Sequence, residues 1–228
     1  MKNAPLPQGA EKVAAVDSMF DTIAPRYDLL NRMLTFGMDI GWRKKTVAAL
    51  GLAPGSVVLD LACGTGDLCR VLSDAGLRPV GVDRSAGMLA AARTSAALMR
   101  GDGMCLPVPD GSVDGVTCGF ALRNVLNLAD FFAECTRVLR PGGRVALLEV
   151  CEPANPVLRA GHSVYFTKVV PFVGGLVSDR AAYRYLPKSL AYLPPGPEIV
   201  GLLSEGFVDT ERRILSVGIA QLLTGTRR

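Results

Sequence analysis

Histidine is almost absent from this 228-residue chain: His162 is the only one, and the six cysteines contain no C-x-x-C pair. Structural zinc takes about four closely spaced Cys or His ligands, so neither a metal site nor a disulfide framework is expected. The cysteines, Cys63, Cys69, Cys105, Cys118, Cys135 and Cys151, fall mostly on predicted strands or helices and read as small buried hydrophobes. No Lys/Arg run resembles a nucleic-acid arm and the formal net charge is only +4, so no electrostatic case exists for nucleic acid. Long apolar runs are missing too. Although 49% of the residues are hydrophobic, charge, Gly or Pro interrupts every stretch well short of the roughly eighteen residues a spanning helix needs. The first residues lack the charged leader and apolar core of a secretory signal. The expected location is cytoplasmic, and the high apolar content is compatible with a peripheral contact at a membrane.

Against these absences stands one dense motif, VLDLACGTGDL from Val58 to Leu68, with an isolated acid further on at Asp83. The apolar run Val57 to Ala62 reads as a buried strand that breaks at Gly64-Thr65-Gly66 into a helix start. Such a turn lies at the carboxyl edge of a parallel sheet, where ligands of open α/β sheets bind against helix N-termini and bare glycine backbone. A dinucleotide fingerprint needs G-x-G-x-x-G, but this chain reads G-T-G-D-L-C from Gly64, with Cys69 in the third place. A pyrophosphate ligand is therefore disfavoured. The pattern D-x-A-x-G-x-G, from Asp60 through Ala62 and Gly64 to Gly66, resembles the loop by which class I methyltransferases hold S-adenosylmethionine. Asp83 closes the strand RPVGVD nineteen residues beyond Gly64, where a carboxylate can accept both ribose hydroxyls.

The length suits a single domain, residues 1–228, with elaborations. Residues 10–50 read as helices, with Phe20, Ile23, Tyr27, Leu30 and Met33-Leu34 at helical spacing. Strands are predicted at Val57–Ala62, Arg78–Asp83, Ala97–Asp102, Gly115–Phe120 and Arg144–Val150, and helices at Gly87–Ala97 and Leu128–Leu139. This alternation predicts a doubly wound, Rossmann-like α/β fold with a mostly parallel sheet. Pro141-Gly142-Gly143 is expected to end a helix and start the fifth strand. Residues 152–197 break the alternation with apolar, aromatic-bearing segments (Tyr165, Phe166, Phe172, Tyr183, Tyr185, Tyr192) and read as an inserted helical cap. The end, from Gly206, reads as two strands joined by a short turn.

Four blocks resemble the ubiquinone/menaquinone C-methyltransferase family: FDTIAPRYDLLNRMLTFGMDIGWRK (Phe20 to Lys44), FALRNV (Phe120 to Val125), RVLRPGGRVALLEV, and VVPFVGGLVSDRAAYRYLPKSL (Val169 to Leu190). Two departures are visible. Ala121 stands where the family usually has Gly, and the stretch between Asp83 and Asp102 is short. The resemblance implies a seven-stranded class I fold with a reversed last strand. It implies S-adenosylmethionine as cofactor and a lipophilic quinol or phenolic substrate, methylated on a ring carbon. An enzyme acting on a phospholipid amine or another phenol, or a relative that keeps the cofactor without methylating, stays open, as does oligomerisation.

Methylating a ring carbon is easiest when the neighbouring phenol ionises. A phenol pKa of about 10 puts the cost near pH 7 at about 4 kcal/mol, and a guanidinium about 4 Å from the oxygen offsets about the same at an effective dielectric of about 20. The resemblance places Arg123 and Asn124 in the catalytic pocket, the arginine as phenolate stabiliser because it stays protonated. Asn124 can equally cap the next helix. Tyr27 belongs to the block that folds over the donor in this family, or simply packs. The resemblance carries Ala62, Gly64 and Gly66 as loop contacts, Met88 as adenine packing and Asp102 as an adenine contact or a loop cap. His162 reads as structural.

Overall fold

The computed structural model describes residues 7–177 and 180–228. The polar start at residues 1–6, Ser178-Asp179 of the fourth block and the Tyr183 side chain lie outside the described residues. Three helices come first: α1 (Gly9–Ile23), α2 (Tyr27–Leu34) and α3 (Met38–Leu50). Pro25, in a single 3-10 turn, separates the first two, and Gly37 at φ +74° separates the second pair. The alternation follows as β1 (Val57–Leu61), α4 (Asp67–Asp74), β2 (Arg78–Asp83), α5 (Ala86–Ala90), β3 (Ala97–Arg100), β4 (Val113–Gly119), α6 (Leu128–Val138) and β5 (Leu139–Val150). Then come α7 (Pro156–Val164), a π-helical turn (Tyr165–Val169), α8 (Val170–Val177), α9 (Arg180–Ser189) and α10 (Gly196–Ser204), before β6 (Phe207–Leu215) and β7 (Ala220–Arg227).

The seven strands order as β3-β2-β1-β4-β5-β7-β6. The first five run parallel, and β7 is antiparallel to both its neighbours. The fold is thus the class I methyltransferase form of the doubly wound sheet. Both faces are covered, so the central strands are apolar throughout rather than alternating. One face packs Phe131, Phe132 and Val138 of α6 with Ile199 and Leu203 of α10. The other packs Trp42, Val47 and Leu50 of α3 with Leu68 and Leu72 of α4. A third cluster, including Ile23, Leu30, Met88, Val170 and Ala182, joins the amino-terminal helices to α8 and α9.

Several boundaries differ from expectation for local reasons. The helix expected over Gly87–Ala97 stops at Ala90, because the following residues brace the glycine loop: the Arg93 N–H donates to the Thr65 carbonyl at 3.0 Å, and Thr94 packs against Gly66. The third strand ends at Arg100 rather than Asp102, which pairs with Cys105 in a one-bridge turn. Pro141-Gly142-Gly143 does not end the helix; α6 stops at Val138, Leu139 already pairs with Val113, and the three residues form an irregularity before Arg144 pairs with Gly115. Five cysteines are buried as expected, and Cys105 is exposed.

Candidate active site

The sheet order reverses direction between β1 and β4, which makes their carboxyl ends the switch point where open α/β sheets bind ligands. Both ends carry a non-glycine residue in the left-handed region, Ala62 at φ +52° after β1 and Phe120 at φ +61° after β4. Such conformations cost about 1 kcal/mol or more each and persist where the surroundings over-determine them. Between these two bends opens a cavity of about 170 Å³. Its walls come from the β1–α4 loop, the end of β2, the 101–104 loop, the end of β4 and one side of α1.

The cavity gathers most of the expected cofactor residues. Asp60, Ala62, Gly64, Asp83, Met88 and Asp102 all line it. Asp83 is anchored by backbone: its carboxylate accepts the Gly64 N–H at 2.7 Å and the Ser85 N–H at 2.8 Å. One lone pair on each oxygen remains, and burial raises its pKa. Asp60 lies deeper, accepting the Thr117 hydroxyl at 2.8 Å and the Cys69 thiol at 3.4 Å, and burial pushes its pKa up to about 7. Met88 is buried, and a Cβ added to Gly64 would sit 4.0 Å from its Sδ. Asp102 pairs with Arg84 at 2.5 Å, and Arg84 also reaches Asp17 on α1 at 3.2 Å. Gly66 is different: it does not line the cavity. Its φ of +82° caps α4, and a Cβ there would meet the Thr94 methyl at 2.6 Å, so local packing explains the glycine.

A second, largely apolar cavity adjoins the first, walled by α1, α2, the π-helical turn, α8 and α9. Tyr27 and Phe120 line both. Arg123 and Asn124, consecutive in one 3-10 turn, divide between the two: Asn124 faces the first and Arg123 the second. Asn124 does not cap α6, a task done by Asn127, whose Oδ1 accepts the Ala129 and Asp130 N–H groups. The Asn124 Oδ1 instead accepts the Tyr185 hydroxyl at 3.2 Å. Arg123 is buried and paired: Nη1 meets Glu149 at 2.6 Å, and Nε donates to Ser189 at 3.1 Å. Its Nη2 has no hydrogen-bond partner among the described residues. His162 lines neither cavity; its ring packs on Phe166 at 4.3 Å, and burial lowers its pKa.

The model of a known family, described as the ubiE/COQ5 methyltransferase family, matches residues 8–227. The chain belongs to that family. It is 41% identical over 98% of its length to the demethylmenaquinone methyltransferase of Roseiflexus castenholzii, covering 98% of that protein. To the ubiquinone/menaquinone biosynthesis C-methyltransferase UbiE of Geobacter sulfurreducens it is 39% identical, over 95% of this chain and 90% of that one. A SAM-dependent methyltransferase of Thermotoga maritima superposes with a TM-score of 0.65, covering 93% of this chain and 99% of that one at 16% identity, a likeness of fold.

In this methyltransferase the residues that sequence reading missed are those that pair across distance. Glu149 is fully buried at the end of β5 and holds both the side chain and the backbone N–H of Arg123. A lone Glu in the apolar run ALLEV was the available signal, since buried carboxylates are almost always paired. Arg43, the residue after Trp42, is buried against the first cavity, bridges Asp39 and Asp67, and lies over the Phe120 ring. Asp21 of α1 accepts from the Ser85 hydroxyl and, at 2.9 Å, from the Gly87 N–H, fastening α1 over the site; the Ser85 bond foremost lowers its pKa.

Proposed function

We propose that this methyltransferase uses S-adenosylmethionine to methylate a ring carbon of a lipophilic quinol of the demethylmenaquinol or benzoquinol type. The observation that carries the reading is the pairing of two cavities of opposite character across Tyr27 and Phe120. The first has five carboxylates on its walls (Asp17, Asp60, Asp67, Asp83, Asp102) against two guanidiniums (Arg43, Arg84). An excess of carboxylates favours a cationic ligand and repels a pyrophosphate. S-adenosylmethionine fits that donor set, and when bound it supplies an electrophilic methyl group on a sulfonium. Asp83 keeps two lone pairs for ribose hydroxyls while its other two are fixed by backbone. Met88 offers an apolar surface to the adenine, and Asp102 a carboxylate to its amino group.

The second cavity suits an aromatic ring with an apolar tail, and its polar groups are few. Tyr27 and Tyr185 both have raised pKa values, through burial, so each remains a hydroxyl donor near neutral pH. Arg123 presents Nη2 to a ring oxygen. With Glu149 at 2.6 Å its charge is largely offset, so it acts as an oriented donor more than as an isolated cation. That is a smaller stabilisation than an unpaired guanidinium would give. Water takes the phenolic proton. The relatives named for demethylmenaquinone methylation support the quinol class.

The test is incubation with labelled donor and, separately, reduced demethylmenaquinone, a demethylated benzoquinol and phosphatidylethanolamine, followed by identification of the product. A C-methylated quinol is expected; a methylated amine alone would overturn the reading. For the cofactor, loss of charge-assisted hydrogen bonds of about 1.5–3 kcal/mol predicts that Asp83→Ala weakens donor binding about ten- to a hundredfold by calorimetry. Equal affinities would remove Asp83 from the site.

A further inference from the structure

Nine of the thirteen large hydrophobic side chains exposed among the described residues fall in two stretches, residues 29–40 and 157–172. The stretches form one surface. The Phe36 ring lies 6.0 Å from that of Tyr165, and the Tyr165 hydroxyl donates to the Leu34 carbonyl at 2.8 Å. Phe36 is 78% exposed, Val157 79% and Phe172 64%. Helix α7 contributes no buried residue, although it carries Val157, Leu158 and Val164. A short helix gains little from its own hydrogen bonds in water, so an apolar helix without core contacts calls for another covering.

The exposed charges of this face have one sign; Asp28, at the start of α2, is half-buried and held by the Thr65 hydroxyl and Arg70. From Pro153 to Val177 the chain has Arg159 and Lys168, both exposed, and no Asp or Glu. Between residues 29 and 40 the only acid is Asp39, buried and paired with Arg32 and Arg43. The inner sides of the same segments, through Leu34, Phe166 and Val170, wall the second cavity. An apolar face ringed by cations is complementary to the surface of a bilayer containing anionic lipid: hydrocarbon meets hydrocarbon, and lysine or arginine meets phosphate.

We propose that this face, α2 with the α2–α3 turn and α7 through α8, docks on an anionic lipid bilayer and turns the second cavity toward the acyl chains. The proposal rests on the lipophilic-quinol reading, since it gives such a substrate a route that avoids water.

Flotation with vesicles of mixed phosphatidylglycerol and phosphatidylcholine, and of phosphatidylcholine alone, tests it. Wild type is expected to float with the anionic vesicles and less with the neutral ones. Phe36→Ser/Phe172→Ser removes two large apolar contacts and is expected to weaken partition by about tenfold or more, whereas Ile214→Ser, exposed on β6 outside the face, leaves it unchanged. Lys168→Glu, an exposed charge reversal with little packing at stake, lowers binding to anionic vesicles even if the double variant misfolds. Wild type that stays unbound, or variants that float equally well, would overturn the proposal. So would phenylalanine variants that only convert a dimer to a monomer, which would assign the face to a second copy of the chain. Methyl transfer by wild type to a tail-less, water-soluble quinol tests the functional reading separately, because it needs no membrane.

Discussion

Arg123 shows how a residue can be legible in kind and illegible in setting. The sequence places an arginine after the fourth strand, but nothing local announces the partner Glu149, twenty-six residues away in the chain and fully buried. Removing one member of a buried ion pair strands the other, at a cost of about 3–5 kcal/mol. Arg123→Met is therefore expected to lower thermal stability as well as methyl transfer, and Arg123→Met/Glu149→Gln to regain most of the stability without the activity. Thermal unfolding and turnover, measured on both variants, separate the roles; full activity in a folded double variant would remove Arg123 from the chemistry. Asp60 carries a pH signature of the opposite kind. Its folded pKa of about 7 exceeds the ordinary aspartate value of 3.8, so the native state binds more protons than the unfolded state between those values. The stability it contributes is present at low pH and is lost as pH rises through that window, by at most about 4 kcal/mol. Asp60→Asn is expected to flatten this part of the stability–pH curve in denaturant titrations. An unchanged slope would show that another group titrates there.

At the scale of elements, the glycine loop was legible because its constraint is local. A strand that stops, two glycines and a helix start follow from residues within about ten positions of one another. The support for that loop was not legible. Thr94 meets Gly66 only because the chain leaves α5 early and returns beneath α4, so a helix expected to run to Ala97 ends at Ala90. Gly66→Ala combines a left-handed φ with a 2.6 Å approach to the Thr94 methyl, and a loss of about 2–4 kcal/mol is expected. Thr94→Ala on that background relieves the methyl contact but not the backbone strain. The double variant is thus expected to recover part of the loss in chemical denaturation; strictly additive effects would show that the two positions do not interact.

For the molecule as a whole, the last two strands complete the sheet. They cover the edge of β5 from Arg144 to Val150, and Leu222 and Leu223 lie beside Leu148 and Leu147. Ending the chain before Gly206 would expose that edge together with its apolar neighbours, a template for pairing with other chains. Aggregated or oligomeric product is expected on size-exclusion chromatography, and a soluble monomer would show that five parallel strands suffice. Sequence by itself determined the alternation of strands and helices, the switch-point loop with Asp60, Gly64 and Asp83, and the helical character of residues 152–197, because hydrophobic period, glycine and proline act over a few residues. Only the tertiary structure decided which groups meet. It put Arg123 against Glu149, divided Arg123 and Asn124 between two cavities, closed α1 over the site through Asp21 and Ser85, and left a cationic apolar face on α2 and α7. Those arrangements depend on packing between segments far apart in the chain, where charge pairing and burial are set by the fold and by no local pattern.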